Sequence, residues 1–339
     1  MKKLRYFFET LVIRFAVWLL PRLPRWFIMA LSRWSGSIAY WCDQRGRSTA
    51  LENLYYAFGD RHTLAERKLI ARRSYQVFAR TFLDLFWSSY LSPDNWQQYF
   101  SVRLHDSQVE EEARRKGGIW VTPHFGNFEF VSLGWGFRGL PFTVVAQNFK
   151  NPALTPIFSR LRSHSGQFVI PQESAMIKVM KHLKRGGYVG MLVDLNIPPG
   201  NTSAAVKCFG MWNSVPTLHV QLAQRLGLPI IPLVCLPLPD GRYELRTLAD
   251  FHPKPDDDIQ DLTQRVWNHC EMAIREHPEC WMWMYKHWRF RPVGKPGVKH
   301  PDYPSYSNLS WDLWDIIPEP LRPEKPEPRK KKNKGVPTN

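Results

Sequence analysis

Ile-Trp-Val-Thr-Pro-His-Phe-Gly-Asn-Phe-Glu-Phe, residues 119–130, reads as a strand, a turn and the start of a helix. Residues 119–122 are apolar and β-branched, as a buried strand requires. Pro123 cannot donate to a ladder and biases Thr122 to extended geometry, so the strand ends there. His124 then stands just past the strand's end. Gly126 permits a tight turn. Asn127 is suited to cap a helix that carries Phe130, Val131, Leu133 and Gly134 at helical spacing.

His124 and Glu129 are too far around a continuous helix to meet, at about 140° of separation. They can meet if His124 lies in the turn and Glu129 in the first helical turn, where the helix dipole favours a carboxylate. A histidine held by a carboxylate can take a proton from a hydroxyl, which is general-base chemistry. The competing reading is a turn histidine beside a solvated glutamate, and spacing alone does not exclude it.

Further blocks extend the pattern: Ala-Leu-Glu-Asn-Leu at 50–54, Ser-Arg-Leu-Arg-Ser at 159–163, Lys-Cys-Phe-Gly at 207–210 with Val-Pro-Thr at 215–217, and Glu-His-Pro-Glu-Cys-Trp-Met-Trp at 276–283 running on to Arg291-Pro292. With Thr-Pro-His-Phe-Gly-Asn-Phe-Glu at 122–129, these resemble the lipid A biosynthesis lauroyl/myristoyl acyltransferases, within the glycerolipid acyltransferases that bear an H-x-x-x-x-D/E motif. The resemblance covers residues 10–293. It implies a mixed α/β sheet flanked by helices, and transfer of an acyl chain from a thioester of acyl carrier protein or coenzyme A to a hydroxyl of a membrane lipid. It implies no cofactor and no metal, and a place at the cytoplasmic face of a bacterial inner membrane.

The resemblance implies roles for His124, Glu129, Arg160 and Asp194 in catalysis, and for Asn127, Arg162, Lys207, Phe209 and Gly210 in substrate binding. His124 would be the base and Glu129 its orienting carboxylate. Arg160, with backbone N–H groups near Gly126, would stabilise an oxyanion. Asp194 would position Arg160 or the acceptor. The helical wheel disagrees on one point. Arg160 and Arg162 lie about 160° apart, and Arg162 is nearer the apolar stripe. The family pattern places a polar residue after the aspartate, whereas this chain has Leu195-Asn196. A different glycolipid or aminolipid acceptor is therefore one alternative, and a catalytically silent lipid-binding protein is another. No serine or cysteine has a nucleophile-elbow context, so no acyl-enzyme is expected.

Composition bounds the partners. The 339 residues carry a net charge of +16, with 44% hydrophobic and 14% aromatic residues. That charge calls for an anionic partner. No recognition-helix, zinc-finger or RNP pattern occurs, which leaves an anionic membrane surface ahead of nucleic acid. The five cysteines form no C-x-x-C pair, which argues against a zinc site or a disulfide framework. Residues 1–45 mix tryptophans with arginines in two apolar stretches broken by Pro21 and Pro24. That mix suits helices lying in a membrane interface. No small-residue cleavage site follows, so no removed signal peptide is expected.

The remaining pattern is α/β over residues 46–300. Thr63 and Glu66 form a capping-box signature. Strands are expected at 142–148, 188–193, 229–236 and 242–248, the last at an edge; one helix opens at Asn151-Pro152, another is closed by 178–185 and stops at Gly186-Gly187, and two more run over 217–226 and 259–276. Asp194 follows its strand, on the edge where ligand sites of open α/β sheets lie. Residues 195–213 read as a loop. The alternation of Trp281, Trp283 and Tyr285 with Met282 and Met284 reads as a core strand. Residues 301–339 are proline-rich with a basic run at 329–332, and read as a disordered tail.

Overall fold

The computed structural model describes residues 2–172, 175–294 and 302–324. The chain opens with four helices: α1 (Lys2–Leu19), α2 (Arg25–Cys42), α3 (Gln44–Phe58) and α4 (Leu64–Trp87). Thr63 and Glu66 cap α4 reciprocally, as the sequence pattern requires. Then follow β1 (Phe100–Arg103), α5 (Ser107–Lys116), β2 (Gly118–Thr122), α6 (Phe128–Phe137), β3 (Phe142–Ala146), α7 (Leu154–Ser163), β4 (Phe168–Pro171), α8 (Ala175–Leu183) and β5 (Tyr188–Leu192). The second half holds β6 (Ser203–Cys208), β7 (Met211–Pro216), α9 (Leu218–Leu226), β8 (Ile230–Pro237), β9 (Tyr243–Thr247), α10 (Ile259–Glu276), β10 (Phe290–Pro292), β11 (Asn308–Ser310) and α11 (Trp311–Ile316).

The main sheet runs β1-β9-β8-β2-β5-β3-β4. It is mixed: β8 and β9 pair antiparallel, and every other pair is parallel. β2 is buried along its whole length, which is why its residues form an uninterrupted apolar run. The chain leaves β2 through α6, passes over the place that β5 later fills, and builds β3 and β4 beyond it. α8 then returns it to insert β5 between β2 and β3. Two large cores result. One packs Trp120, Phe130, Trp135 and Phe142 with α6, and the other packs Val121, Val189 and Val193 with α8, α9 and α10.

The structure departs from the sequence expectations in several places. β9 is internal, because the short β1, hidden in a polar stretch, pairs outside it. Residues 195–213 are not simply a loop. They contain β6 and the start of β7, which join in a hairpin at Phe209-Gly210. Both turn residues have positive φ, 51° and 82°, the backbone that a tight hairpin turn needs. Residues 281–285 form turns rather than a strand; Trp281 and Trp283 are nonetheless fully buried. Part of the expected tail is built in. Tyr306 donates to Asn53 at 2.6 Å, Ser305 bonds Glu52, and Leu313 and Ile317 pack on Ala205 and Trp212. The expectation of disorder for residues 325–339, with the basic run at 329–332, lies outside the described residues.

Candidate active site

The turn after β2 is held open by its neighbours. Gly126 has φ +56°, and a Cβ there would stand 2.1 Å from the Cys235 carbonyl oxygen. Only glycine fits that approach. The Gly126 N–H donates to the Cys280 carbonyl at 2.8 Å and the Asn127 N–H to the Cys235 carbonyl at 2.9 Å. These two amides are therefore spent, and the expected oxyanion role for N–H groups near Gly126 has no free donor at either residue. Thr81 fixes the other side by donating to the Gly126 carbonyl at 3.0 Å.

His124 is paired with Asp194, not with Glu129. β2 and β5 are parallel neighbours with Thr122 opposite Leu192, so two residues further on His124 stands opposite Asp194. His124 Nδ1 lies 2.7 Å from Asp194 Oδ1, and the His124 backbone N–H donates to Oδ2 at 2.8 Å. Trp281 Nε1 also donates to Oδ2, at 2.9 Å. Asp194 is fully buried, so each of these donors replaces lost hydration. His287 is buried and stacks on Trp281 at 3.7 Å.

The electrostatics follow from that contact. Burial alone would push the Asp194 carboxyl up, but the charge and hydrogen bond of His124 hold it down at about 2. Burial likewise opposes protonation of His124. The Asp194 charge and hydrogen bond outweigh it, Glu129 adds its own charge, and the imidazole pKa rises above its ordinary 6.5. Burial holds His287 down at about 4, so it is neutral beside the pair.

Glu129 instead holds Arg162. Its carboxylate accepts from Arg162 Nη2 at 2.5 Å and from Nε at 2.8 Å, a two-pronged contact of the kind that fixes a guanidinium plane. Arg162 is the arginine that the helical wheel favoured. Arg160 is exposed on α7, on the side that turns away. Both Glu129 and Arg162 line an apolar cavity of about 440 Å³. Phe128, Val131, Phe142, Val144, Met176 and Leu218 line it, and so do Thr122, Val193 and Leu195, the chain neighbours of the His124–Asp194 pair.

The remaining expected binding residues sit elsewhere. Asn127 is buried and both ends of its side chain are used inside the fold. Oδ1 accepts from the Phe130 N–H to cap α6, and Nδ2 donates to the Tyr243 hydroxyl. Behind it lies a polar network that sequence reading missed: Asp84 is fully buried between Arg25, Arg80 and the Tyr243 hydroxyl. Lys207 is exposed on β6 with its Nζ 5.2 Å from the Trp212 ring. Phe209 is buried and stacked on Trp281 at 5.8 Å, and with Gly210 it forms the hairpin turn. Neither Lys207, Phe209 nor Gly210 lines the cavity.

Residues 1–290 match the model of the bacterial lipid A biosynthesis acyltransferases. The chain is 26% identical over 291 residues to a lipid A biosynthesis lauroyltransferase of Escherichia coli (strain K12), covering 83% of this chain and 91% of that protein. It is 22% identical over 286 residues to a lipid A biosynthesis palmitoleoyltransferase of the same strain, with the same coverage. A lipid A biosynthesis acyltransferase of Haemophilus influenzae is 20% identical over 269 residues, covering 77% and 82%. The chain belongs to the bacterial lipid A biosynthesis acyltransferase family, and is an acyltransferase.

Proposed function

We propose that the chain moves a fatty acyl group from an acyl thioester to a hydroxyl of a lipid A precursor or a related polar lipid. The donor would be carried by acyl carrier protein or coenzyme A. The observation that supports this reading most is the His124–Asp194 pair beside an apolar cavity that the neighbouring residues Thr122, Val193 and Leu195 line. His124 Nε2 takes the proton of the acceptor hydroxyl while that oxygen attacks the thioester carbonyl. The C–S bond then breaks, and the proton passes to the leaving thiolate. Asp194 holds Nδ1–H, fixing the tautomer and compensating the imidazolium. Arg162, oriented by Glu129, supplies the positive charge toward which the carbonyl oxygen's negative charge develops. The apolar cavity receives the acyl chain.

The acceptor would be reached at a membrane surface. Phe7, Phe8, Leu11, Phe15 and Trp18 on α1 and Trp26, Trp34 and Trp41 on α2 are exposed. The Arg22 guanidinium lies 4.8 Å from the Trp18 ring, and Arg47 lies 5.6 Å from that of Trp41. Exposed apolar faces edged with Trp and Arg suit an anionic interface. No helix among the described residues is long and apolar enough to cross a membrane. In this reading α1 and α2 lie in the interface, on the cytoplasmic face of a bacterial inner membrane.

One observation favours a second acceptor. Leu195 stands on the cavity rim, and Asn196 is buried against Asn213 and the Arg289 N–H. The polar residue usual after the aspartate is thus replaced by an apolar one, which fits a less polar headgroup. The deciding experiment supplies purified protein with both kinds of acyl thioester and total membrane lipid, and identifies the acylated product by mass spectrometry. An acylated lipid A precursor supports the first acceptor. Another acylated lipid supports the second. No acylated lipid of any kind contradicts the proposal and favours a silent lipid-binding protein.

A further inference from the structure

The ladder between β3 and β5 ends at Val144–Gly190. Beyond that pair the strands part: β5 continues along β2 to Leu192, and β3 continues along β4 to Ala146. The cavity opens in this fork, with residues from both faces of the sheet in its walls, and Gly190, Val144 and Phe142 all line it. Gly190 precedes Asp194 by four residues, which puts it roughly 13 Å further along the strand from the catalytic edge. A glycine inside a strand weakens it, and commonly marks a place where something approaches the backbone closely. A Cβ on Gly190 would stand 3.2 Å from Phe142 Cδ2 and 3.2 Å from Val144 Cγ1, tighter than ordinary contact, so a side chain there pushes these two cavity-lining residues at the base of the fork.

We infer that Gly190 forms the floor of the acyl-chain site and sets the longest chain the enzyme accepts; this rests on the reading of the cavity given above. Val144, its partner across the fork, is the opposing wall. Trimming Val144 deepens the site, and adding to Gly190 makes it shallower. A structural role for Gly190 alone would alter stability without moving the length preference, and would not give opposite shifts at the two positions.

The test uses the full chain and saturated acyl thioesters of graded length. Gly190→Ala is expected to lower kcat/KM about tenfold for the longest donor that wild type uses well, and to spare shorter donors. Val144→Ala is expected to shift the preference to longer donors. Displacement of a fluorescent fatty acid by free fatty acids of graded length reads the same preference without turnover. If Gly190→Ala does not fold, Val144→Ala decides alone. Unchanged length profiles in the folded variants would overturn the assignment of the floor. Shifted binding profiles in a protein that transfers no acyl chain would uphold the floor and overturn only the catalytic reading.

Discussion

At the scale of residues, the proposed chemistry rests on one hydrogen bond, His124–Asp194, and one ion pair, Glu129–Arg162. Because Asp194 raises the His124 pKa above 6.5, the base is neutral only above that raised value, and the rate should climb through an acid limb centred there. Asp194→Asn removes the charge, so the limb should move to lower pH while the plateau falls; a limb that stays in place would disconnect the two residues. Stability follows the same signs. The contribution of protonated His124 is full below the unfolded histidine pKa and is lost as pH rises through the raised one. That of Asp194 is present above 3.8 and is lost as pH falls toward about 2. The arginines give a separate check. Arg162→Ala leaves Glu129 unpaired and should cost about 2 kcal/mol of stability together with most of the transfer rate, whereas Arg160→Ala should leave both near wild type, as denaturant titration and a rate assay will report. The helical wheel pointed to Arg162 while the resemblance set Arg160 in the catalytic role, and it is Arg162 that meets Glu129. The sequence placed Asp194 on the same sheet edge as His124 but not as its partner, because β3 and β4 intervene in the chain between β2 and β5. Only the return crossover through α8 brings Asp194 beside the histidine.

At the scale of elements, the turn that carries His124 is held from beneath by Asp84, Tyr243 and Asn127. Arg25, the first residue of α2, reaches the same carboxylate, so the helix with the exposed tryptophans is tied to the turn that carries His124. Asp84→Ala leaves Arg25 and Arg80 facing each other without a counter-charge. It should destabilise the fold by about 3 kcal/mol in a urea titration. A near-neutral result would show that the network does not hold the turn. The long periodic elements were readable, and the expected boundaries of α10 and the capping box of α4 coincide with those observed. The short ones were not. β1 has four residues and owes its existence to β9. The β6–β7 hairpin hides its turn in Phe209, a residue type seldom found at positive φ. The alternating aromatics at 281–285 imitate strand periodicity because two of the tryptophans fill one core from successive turns.

At the scale of the whole molecule, a sheet whose strands β3 and β5 part toward the edge that carries His124 and Asp194 sits behind two helices whose apolar faces are exposed. Net charge and the Trp-Arg mixture made an anionic surface readable in composition, but neither could reveal a cavity formed where two strands part. Binding to vesicles should require anionic lipid and weaken as salt rises. Trp26→Ala combined with Trp34→Ala should reduce that binding several-fold in a sedimentation assay with little change in the thermal midpoint. Equal binding to neutral vesicles at high salt would remove charge from the account. The most direct test of the central claim is the acyl-transfer rate of purified His124→Ala in detergent, set beside wild type and normalised to folded protein by circular dichroism. With His124 as the base, the rate should fall about 10²–10⁴-fold with an unaltered fold. A folded His124→Ala that transfers acyl chains at the wild-type rate would contradict it.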